Sequence, residues 1–278
     1  MAVFEVAEIV QATGGTLVVG GGKRRRFRNI ETDSRQVRKG DLFVALQGER
    51  FDGHRFVARA CQAGAEGAVV AEAQAWEVVR SIRKVGPAGA VFTLVAVKDT
   101  LRAYQDLGGF HRQRFAIPVV AITGSNGKTT TKEMVSGVLS TRWRVLKTQA
   151  NYNNAVGVPQ TLLRLNGTHQ AAVVEMGVDQ VGQTTQLCHI VKPTSGVITN
   201  VGPDHLEFYG TLARSAASKR ELLPHLPPTG TAILNADDRY FSPFSRKAPC
   251  RVVSFGFSPQ ADIRGSRITW DGRKTEFW

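Results

Sequence analysis

The segment AITGSNGKTTTKE, at positions 121 to 133, decides the fold of this chain. It follows the apolar run PVVAI and leads into a helical pattern, so it joins a buried strand to a helix. Two glycines in it let backbone amides turn around phosphate oxygens, and the start of the helix adds positive potential. A lysine then reaches the β and γ phosphates, and the next threonine binds magnesium. The segment predicts a nucleotide-binding loop made of Gly124, Ser125, Asn126, Gly127, Lys128, Thr129 and Thr130.

This loop departs from the general phosphate-loop pattern. That pattern has a glycine five residues before the glycine of the GK pair, and Ile122 occupies this position here. The alternative is an ordinary glycine turn with a surface lysine. The position between a buried strand and a helix favours a short G-x-x-G-K-T nucleotide loop.

Beyond Pro118, apolar strands alternate with helical patterns. The strand-like runs are PVVAI, WRVLKT, AAVVEM and SGVITNV, and the helical segments are GKTTTKEMVSGVL, VGVPQTLLRL and TTQLCHIV. Continuous apolar strands between amphipathic helices are typical of a parallel sheet covered on both faces. We expect residues 115–278 to form a central, doubly wound, mostly parallel α/β domain with its ligand site at the carboxyl ends of the strands.

Residues 1–114 show a different pattern, in which strands outnumber helices. The predicted helices are FEVAEIVQAT, HRFVARACQAG and DTLRAYQDLGGFHRQRF, and the predicted strands are TLVV, FRNIET, DLFVAL, GAVVA and AVFTLVAV. Asp99 is the candidate N-cap of the last helix. This part is predicted to be a small N-terminal α/β domain, with a boundary near residue 115.

The composition fits a two-domain protein with anionic ligands. The chain has 278 residues, 42% of them hydrophobic, and a formal net charge of +13. The dense basic run KRRRFR at 23 to 28 adjoins GGG and is typical of a solvated hairpin loop. Because no RNA-binding aromatic pattern accompanies it, we expect no nucleic-acid partner.

The same sequence indicates the compartment. No apolar run approaches the roughly 18 residues of a membrane span, and the first residues contain no leading cationic stretch. We expect a soluble cytoplasmic protein without membrane insertion. Three cysteines lie far apart without a C-x-x-C pair, so we expect reduced thiols at Cys61, Cys188 and Cys250.

Polar residues follow several predicted strands. Glu175 ends AAVVEMG, His205 follows VITNV, and Asn235 opens NADD after TAIL. The carboxyl ends of parallel strands meet at one sheet edge, so these side chains are candidates for the loop's metal and nucleotide site. A helix cap, a structural histidine and a plain turn are the respective alternatives. Lys219 lies in a helical pattern and by composition is typical of a solvated lysine.

Two further clusters are candidates for substrate binding. Ser34 and Arg35 follow a strand and offer a hydroxyl and a guanidinium that can fork onto a diphosphate, although a strand-end turn with a surface arginine fits as well. A cluster of three asparagines precedes a helix, at Asn151, Asn153 and Asn154. Their side chains either cap that helix or form hydrogen bonds with a sugar-peptide substrate.

The segment TGSNGKTTTKE resembles the ATP loop of the Mur ligases, and the similarity extends over essentially the whole chain. Within this family, TDSRQVRKGDLFVALQGERFDGHRF and NYNNAVGVPQTLLRL are most similar to the branch that joins D-alanyl-D-alanine to UDP-N-acetylmuramoyl-tripeptide. The NYNN segment distinguishes this branch from the preceding ligase of the pathway, which usually has a Thr-Thr-Pro type sequence there.

The resemblance implies roles for individual residues. It implies that Glu175 binds the magnesium of ATP, that His205 contacts a second magnesium, and that Asn235 recognises adenine. Lys219 stands in SKRE, where the family has an A-K-x-E-like motif whose lysine is carbamylated and becomes a magnesium ligand. The implied metal ligands are Thr129, Glu175, His205 and Lys219. The implied catalytic residues are Lys128, Lys219 and His205, and the implied substrate-binding residues are Ser34, Arg35, Asn151 and Asn154.

The resemblance also implies a function. It is that of a monomeric, ATP-dependent ligase of peptidoglycan precursor synthesis, which uses two magnesium ions and forms an acyl phosphate on the tripeptide before D-alanyl-D-alanine attacks. Alternatives are the preceding ligase or a folylpolyglutamate-type ligase. From other classes, the alternatives are a P-loop switch or nucleic-acid-dependent ATPase, and a non-catalytic nucleotide-sugar-binding module.

The end of the chain carries one more expectation. Residues 262 to 278 predict two strands around an Asp271-Gly272 turn, and the chain ends within the second strand. The Mur ligases continue into a third domain that closes over ATP, and nothing here resembles it. We therefore expect the C-terminal domain to be absent and the isolated chain not to complete the reaction.

Overall fold

A computed structural model describes residues 2–20, 22–48, 51–85, 91–203, 206–272 and 274–276. The chain folds into two compact units, Met1–Phe115 with Leu162–Asn166 and Ala116–Thr161 with Gly167–Trp278. The segment 162–166 joins the first unit through a buried contact, because Nε2 of His111 lies 2.9 Å from the backbone oxygen of Leu165. The sequence pattern contains no signal for this return of the chain.

The first unit is built on a five-stranded sheet in the order β2-β7-β6-β5-β4. All neighbours in it are parallel except β2, which pairs antiparallel with β7 at the edge. Strands β1 and β3 form a separate antiparallel pair, so the basic run at 23 to 28, which includes β3, is not a hairpin loop between β2 and β3. The strands are β1 (Phe4–Glu5), β2 (Thr16–Val19), β3 (Arg26–Phe27), β4 (Ile30–Glu31), β5 (Leu42–Val44), β6 (Gly67–Ala71) and β7 (Thr93–Val97).

The described residues of this unit include four α-helices, and one of them was not predicted. They are α1 (Val6–Thr13), α2 (Val57–Ala63), α3 (Ala75–Val85) and α4 (Thr100–Arg112). The unpredicted α3 buries Ala75, Val78, Val79 and Ile82, which have the i, i+3, i+4, i+7 spacing of one helix face. The predicted cap of α4 is confirmed, since the Asp99 carboxylate accepts the amide of Arg102 at 3.0 Å.

The second unit is built on a seven-stranded sheet in which every neighbouring pair is parallel, in the order β14-β13-β12-β11-β8-β10-β9. The predicted parallel α/β architecture is confirmed. Its strands are β8 (Val119–Thr123), β9 (Val145–Lys147), β10 (Ala171–Glu175), β11 (Ser195–Ile198), β12 (Thr231–Asn235), β13 (Arg251–Gly256) and β14 (Ile263–Arg264). The predicted hairpin near the end of the chain is present as β15 (Thr269–Trp270) and β16 (Thr275–Glu276).

Helices connect these strands. They are α5 (Lys128–Ser140), α6 (Gly157–Leu162), α7 (Gln183–Val191), α8 (Leu206–Tyr209), α9 (Leu212–Arg220) and α10 (Phe241–Ser245), with 3-10 turns in the chain at Gly53–Phe56, Glu72–Gln74 and Leu223–His225. Among the described residues, no helix has the length and apolar character needed to span a bilayer. All three cysteines are free thiols, as predicted.

The strand order determines where a ligand site forms. Strand β8 lies between β11 and β10, and the chain leaves β8 for a strand on one side and returns on the other. In open parallel sheets, ligands bind outside the carboxyl ends of strands at such a switch point. The carboxyl ends of these three strands and of β12 carry Gly124, Glu175, Thr199 and Asn235.

Candidate nucleotide and magnesium site

The loop after β8 has the backbone conformation of a phosphate loop. Gly124 has φ +140° and Gly127 has φ +77°, values that side chains other than glycine rarely tolerate. The first intrahelical bond of α5 runs from the amide of Thr131 to the oxygen of Gly127 at 2.9 Å. A helix leaves its first amides without intrahelical acceptors, so the start of α5 presents donors and positive potential to an anion.

The residues after β11 brace this loop, a feature that the sequence did not reveal. The amides of Ser125 and Asn126 donate to the backbone oxygen and to Oδ1 of Asn200, both at 3.0 Å. The Thr199 hydroxyl donates to the oxygen of Asn126 at 2.6 Å, and the Ser125 hydroxyl donates to Gly202 at 3.0 Å. The amides of Ser125 and Asn126 are thus already used inside the protein, whereas those at the start of α5 have no intrahelical acceptor.

Lys128 lies against the loop that it follows. Its ammonium group donates to the backbone oxygens of Gly124 at 2.7 Å and of Ser125 at 2.9 Å. The charge is therefore held beside the predicted phosphate position. Thr130, also predicted to bind the nucleotide, is exposed on the first turn of α5.

Glu175 is the buried acidic residue of the site, with 1% exposure. Its Oε1 accepts the Thr129 hydroxyl at 3.2 Å and the Asn153 side-chain amide at 2.8 Å. Its Oε2 is buried without a hydrogen-bond partner, and the Lys132 ammonium lies 3.8 Å away. A carboxylate and a hydroxyl that meet beside a phosphate loop are the hard oxygen donors that magnesium prefers, so these residues fit the ion.

Of the three asparagines before α6, the structure brings Asn153 to Glu175. Oδ1 of Asn154 accepts the amides of Val156 at 3.1 Å and Gly157 at 2.9 Å, so its side chain caps the helix, as one of the two interpretations predicted. Asn151 is exposed. Asn153 and Asn154 also line a cleft of about 500 Å³, together with Lys128, Thr129, Glu175 and residues 177–179.

Lys219 is buried in α9 with 1% exposure, so its interpretation as a solvated lysine is wrong. Its ammonium donates to the Ser215 hydroxyl at 2.8 Å and lies 5.1 Å from the ring centre of Tyr209. The Tyr209 hydroxyl in turn donates to the backbone oxygen of Val178 at 3.0 Å, and Val178 lines the cleft. The ring contact with Tyr209 and the hydrogen bond from Tyr209 to Val178 therefore connect Lys219 to the cleft.

Asn235 supports the brace from the neighbouring strand. Its side-chain amide donates to the oxygen of Thr199 at 3.1 Å, and its Oδ1 accepts the amide of Asp237 at 2.9 Å. Asp238 accepts the amide of Val201 at 2.6 Å. These contacts hold the NADD turn against the segment that braces the phosphate loop.

Ser34 and Arg35 belong to the first unit. The Arg35 guanidinium forks onto Asp33, with Nε to Oδ1 at 2.9 Å and Nη2 to Oδ2 at 2.8 Å, and these hydrogen bonds hold the pKa of Asp33 well below its usual range. Ser34 is buried and Arg35 is exposed. The predicted second magnesium ligand, His205, and its neighbour Asp204 lie outside the described residues.

Family models match both parts of the chain. The model described as "Mur ligase family, catalytic domain" matches residues 26–107, and "Mur ligase middle domain" matches residues 122–278. The second match alone covers more than half of the chain.

Known proteins agree with these matches. The chain is 49% identical, over 77% of its length and 44% of the relative's, to the UDP-N-acetylmuramoyl-tripeptide--D-alanyl-D-alanine ligase of Synechocystis sp.. The crystal structure of MurF from Acinetobacter baumannii is 33% identical with a TM-score of 0.86, over 99% of this chain and 58% of that one. MurF ligase from Thermotoga maritima, in complex with ADP, is 30% identical with a TM-score of 0.77, over 90% and 55% of the two chains. The chain spans about half the length of these relatives, and it belongs to the Mur ligase family.

Proposed function

We propose that this chain carries the nucleotide and tripeptide sites of a MurF-type ligase, which uses ATP to join D-alanyl-D-alanine to UDP-N-acetylmuramoyl-tripeptide. The names of the relatives support this reaction, and the identity of 49% to one of them supports the choice of the MurF branch within the family. An ADP complex of a MurF neighbour supports ATP as the phosphoryl donor.

The observation that carries the proposal is the environment of Glu175. A buried carboxylate oxygen without a hydrogen-bond partner is costly unless a ligand completes it. Here it lies beside the Thr129 hydroxyl at the start of the helix that follows a phosphate loop. Thr129 and Glu175 are the residues that would hold the magnesium ion, which neutralises phosphate charge when bound.

The chain's own groups then account for positioning. ATP phosphorylates the terminal carboxylate of the tripeptide, the amine of D-alanyl-D-alanine attacks the resulting acyl phosphate, and phosphate leaves as the amide forms. Lys128 and the amides at the start of α5 stabilise the negative charge of the transferring phosphoryl group. No protein nucleophile is needed, so catalysis consists of orientation and charge neutralisation.

The remaining roles complete the proposal. Lys219, as a carbamate, would hold a second magnesium together with His205, and Asn235 would contact adenine. Residues 1–114 hold the UDP part of the substrate through Ser34 and Arg35, whereas residues 115–278 bind ATP, with Asn151 and Asn154 at the tripeptide. The protein acts as a cytoplasmic monomer and binds no nucleic acid.

A phosphate-release assay tests the reaction. It is run on the 278-residue chain and on a fusion that adds the remaining sequence of the Synechocystis relative. D-alanyl-D-alanine, a diamino acid and glutamate are offered as acceptors, each with and without the UDP-linked substrate. Release that requires both the tripeptide and D-alanyl-D-alanine supports the proposal. Preference for another acceptor favours the other ligases, stimulation by DNA or RNA favours a nucleic-acid-dependent ATPase, and binding without turnover in both proteins favours a non-catalytic module.

A further inference from the structure

Lys132 is a second lysine of α5, one turn beyond Lys128, and no sequence pattern distinguishes it from a solvated lysine. Its side chain is buried, with 1% exposure. A buried lysine usually has a charged partner. Its ammonium lies 3.1 Å from Oε1 of Glu133 and 3.8 Å from Oε2 of Glu175. Lys132 therefore has two acidic neighbours, one of which is the proposed magnesium ligand.

The two contacts differ in kind. The distance to Glu133 is that of a hydrogen bond, whereas 3.8 Å to Glu175 exceeds the 2.7–3.2 Å of an N–H···O bond. Oε2 of Glu175 correspondingly has no hydrogen-bond partner. Lys132 thus supplies charge to Glu175 without occupying its free oxygen.

Glu133 holds the ammonium in this intermediate position. Its side chain is about half exposed and also contacts the Lys147 ammonium on its other side. The four groups form a row of alternating charge from Glu175 through Lys132 and Glu133 to Lys147. A buried carboxylate without a nearby cation is strongly destabilising, so this row lets Glu175 stay buried before a metal ion binds.

We propose that Lys132 is a positioning residue that acts as the built-in counter-ion of Glu175. It stabilises the carboxylate in the metal-free protein and lowers the affinity of the site for a divalent cation, and Glu133 limits this effect by retaining the ammonium. The inference rests on the proposed function, because it takes Glu175 to be a ligand of the nucleotide-bound magnesium.

The test measures Mn²⁺ binding by calorimetry in the presence of ADP, and thermal unfolding with and without Mg²⁺, on the 278-residue chain. Lys132→Met keeps an unbranched side chain that is one atom shorter and removes its charge. Removing one positive charge this close to the ligand should tighten Mn²⁺ binding about tenfold or more. The melting temperature of the metal-free variant should be lower than that of the metal-free wild type. Addition of Mg²⁺ should raise the melting temperature more in the variant than in the wild type.

Two further variants separate this role from simple packing. Lys147→Met removes the lysine at the far end of the row, which is paired with Glu133, so it should change Mn²⁺ affinity much less than Lys132→Met does. Glu133→Gln, at a half-exposed position, should weaken Mn²⁺ binding several-fold while the protein stays folded, because Lys132 then interacts with Glu175 alone. If Lys132→Met does not fold, the Mn²⁺ affinity of Glu133→Gln alone tests the counter-ion role of Lys132.

The outcomes distinguish the two proposals. A wild-type chain that binds neither ADP nor Mn²⁺ would overturn the proposed function. A wild-type chain that binds both, while Lys132→Met and Glu133→Gln keep its Mn²⁺ affinity, would overturn the counter-ion role alone. Equal destabilisation of Lys132→Met with and without Mg²⁺ would also reduce Lys132 to a packing residue.

Discussion

Gly124 and Thr199 approach so closely that a methyl group on residue 124 would lie 2.0 Å from the Thr199 hydroxyl oxygen. That hydroxyl donates to the backbone of Asn126, so the space next to Gly124 is taken by the brace of the phosphate loop. The first glycine of the loop is therefore required by the packing of a neighbouring strand end as well as by its φ of +140°.

Gly124→Ala should consequently displace the brace and lower the affinity for Mg·ADP at least about tenfold, the equivalent of 1.4 kcal/mol. Gly137→Ala is the matched control, because a Cβ there meets no atom within 4 Å outside the neighbouring backbone of α5, in which the residue lies. That control should raise stability by roughly 0.5–1 kcal/mol and leave binding unchanged. Calorimetry with Mg·ADP and thermal unfolding measure the two effects, and normal binding by Gly124→Ala would contradict the role of the brace.

The side chain of Asn200 allows a graded test of the same brace. It accepts the amide of Asn126 at 3.0 Å and donates to the oxygen of Asn126 at 3.2 Å. Asn200→Ala loses both bonds and Asn200→Asp keeps only the acceptor. Since a net hydrogen bond contributes about 0.5–1.5 kcal/mol, nucleotide affinity should fall several-fold in the first variant and less in the second. Equal affinities in all three proteins would show that the loop holds its shape without Asn200.

The parallel sheet of the second unit and its phosphate loop were predictable because their signals are local. An apolar run followed by G-x-x-G-K-T fixes a strand, a turn and a helix start within a few residues, and the structure has β8, the loop and α5 in those places. Helix α3 was missed for a different reason. The segment AWEVVRSI has apolar residues at helical spacing, but it lies between two strands that are more apolar and dominate the local sequence pattern.

The partners of Glu175 could not be predicted from the sequence. Asn153 lies 22 residues before Glu175 along the chain, and which of three neighbouring asparagines turns inward depends on how Asn154 caps α6. Lys132 carries a charge that usually marks a solvated position, and its burial follows from the approach of β10 to α5. Such contacts depend on tertiary packing, which one sequence does not encode locally.

Lys128→Ala should leave the fold intact, because the side chain is partly exposed and its ammonium donates to the loop backbone oxygens of Gly124 and Ser125. Nucleotide binding should be lost, since the variant removes the cation that neutralises the phosphates. Lys247→Ala, at an exposed position after α10, is the control for a lost surface charge. Unchanged ADP affinity of Lys128→Ala in calorimetry would refute the assignment of the loop.

His111 should make the stability depend on pH. Burial lowers the pKa of this histidine, which is 3% exposed. The folded state therefore takes up the proton at lower pH than the unfolded state, whose histidine titrates near pH 6.5. Stability should decrease as pH falls through about 6.5, by up to about 1.4 kcal/mol per pH unit, until the folded state is protonated too. His111→Gln should reduce the pH dependence of the free energy of unfolding, measured by urea unfolding. The same pH dependence in the variant and the wild type would show that other groups cause it.

The proposed carbamate on Lys219 gives the last prediction. A lysine with 1% exposure in a helix whose surroundings connect to the cleft is an unusual place for a permanent cation, and carbamylation by carbon dioxide would replace that cation with an anionic oxygen ligand. Carbon-13 NMR of the chain in labelled bicarbonate should show a carbamate signal that is absent from Lys219→Ala. In the fusion that carries the rest of the relative's sequence, Lys219→Ala should abolish phosphate release, and formate or acetate should restore part of it.

Two results would count against the carbamate, and they have different meanings. Lost activity without rescue and without a carbamate signal in the wild type would leave Lys219 as a buried cation that stabilises α9 through Ser215. Near-normal turnover of Lys219→Ala would remove the residue from the mechanism altogether. Because a small residue at a buried position leaves a cavity, the melting temperature of the variant is measured alongside, and rescue by a small carboxylate at unchanged melting temperature separates the lost ligand from a weakened fold.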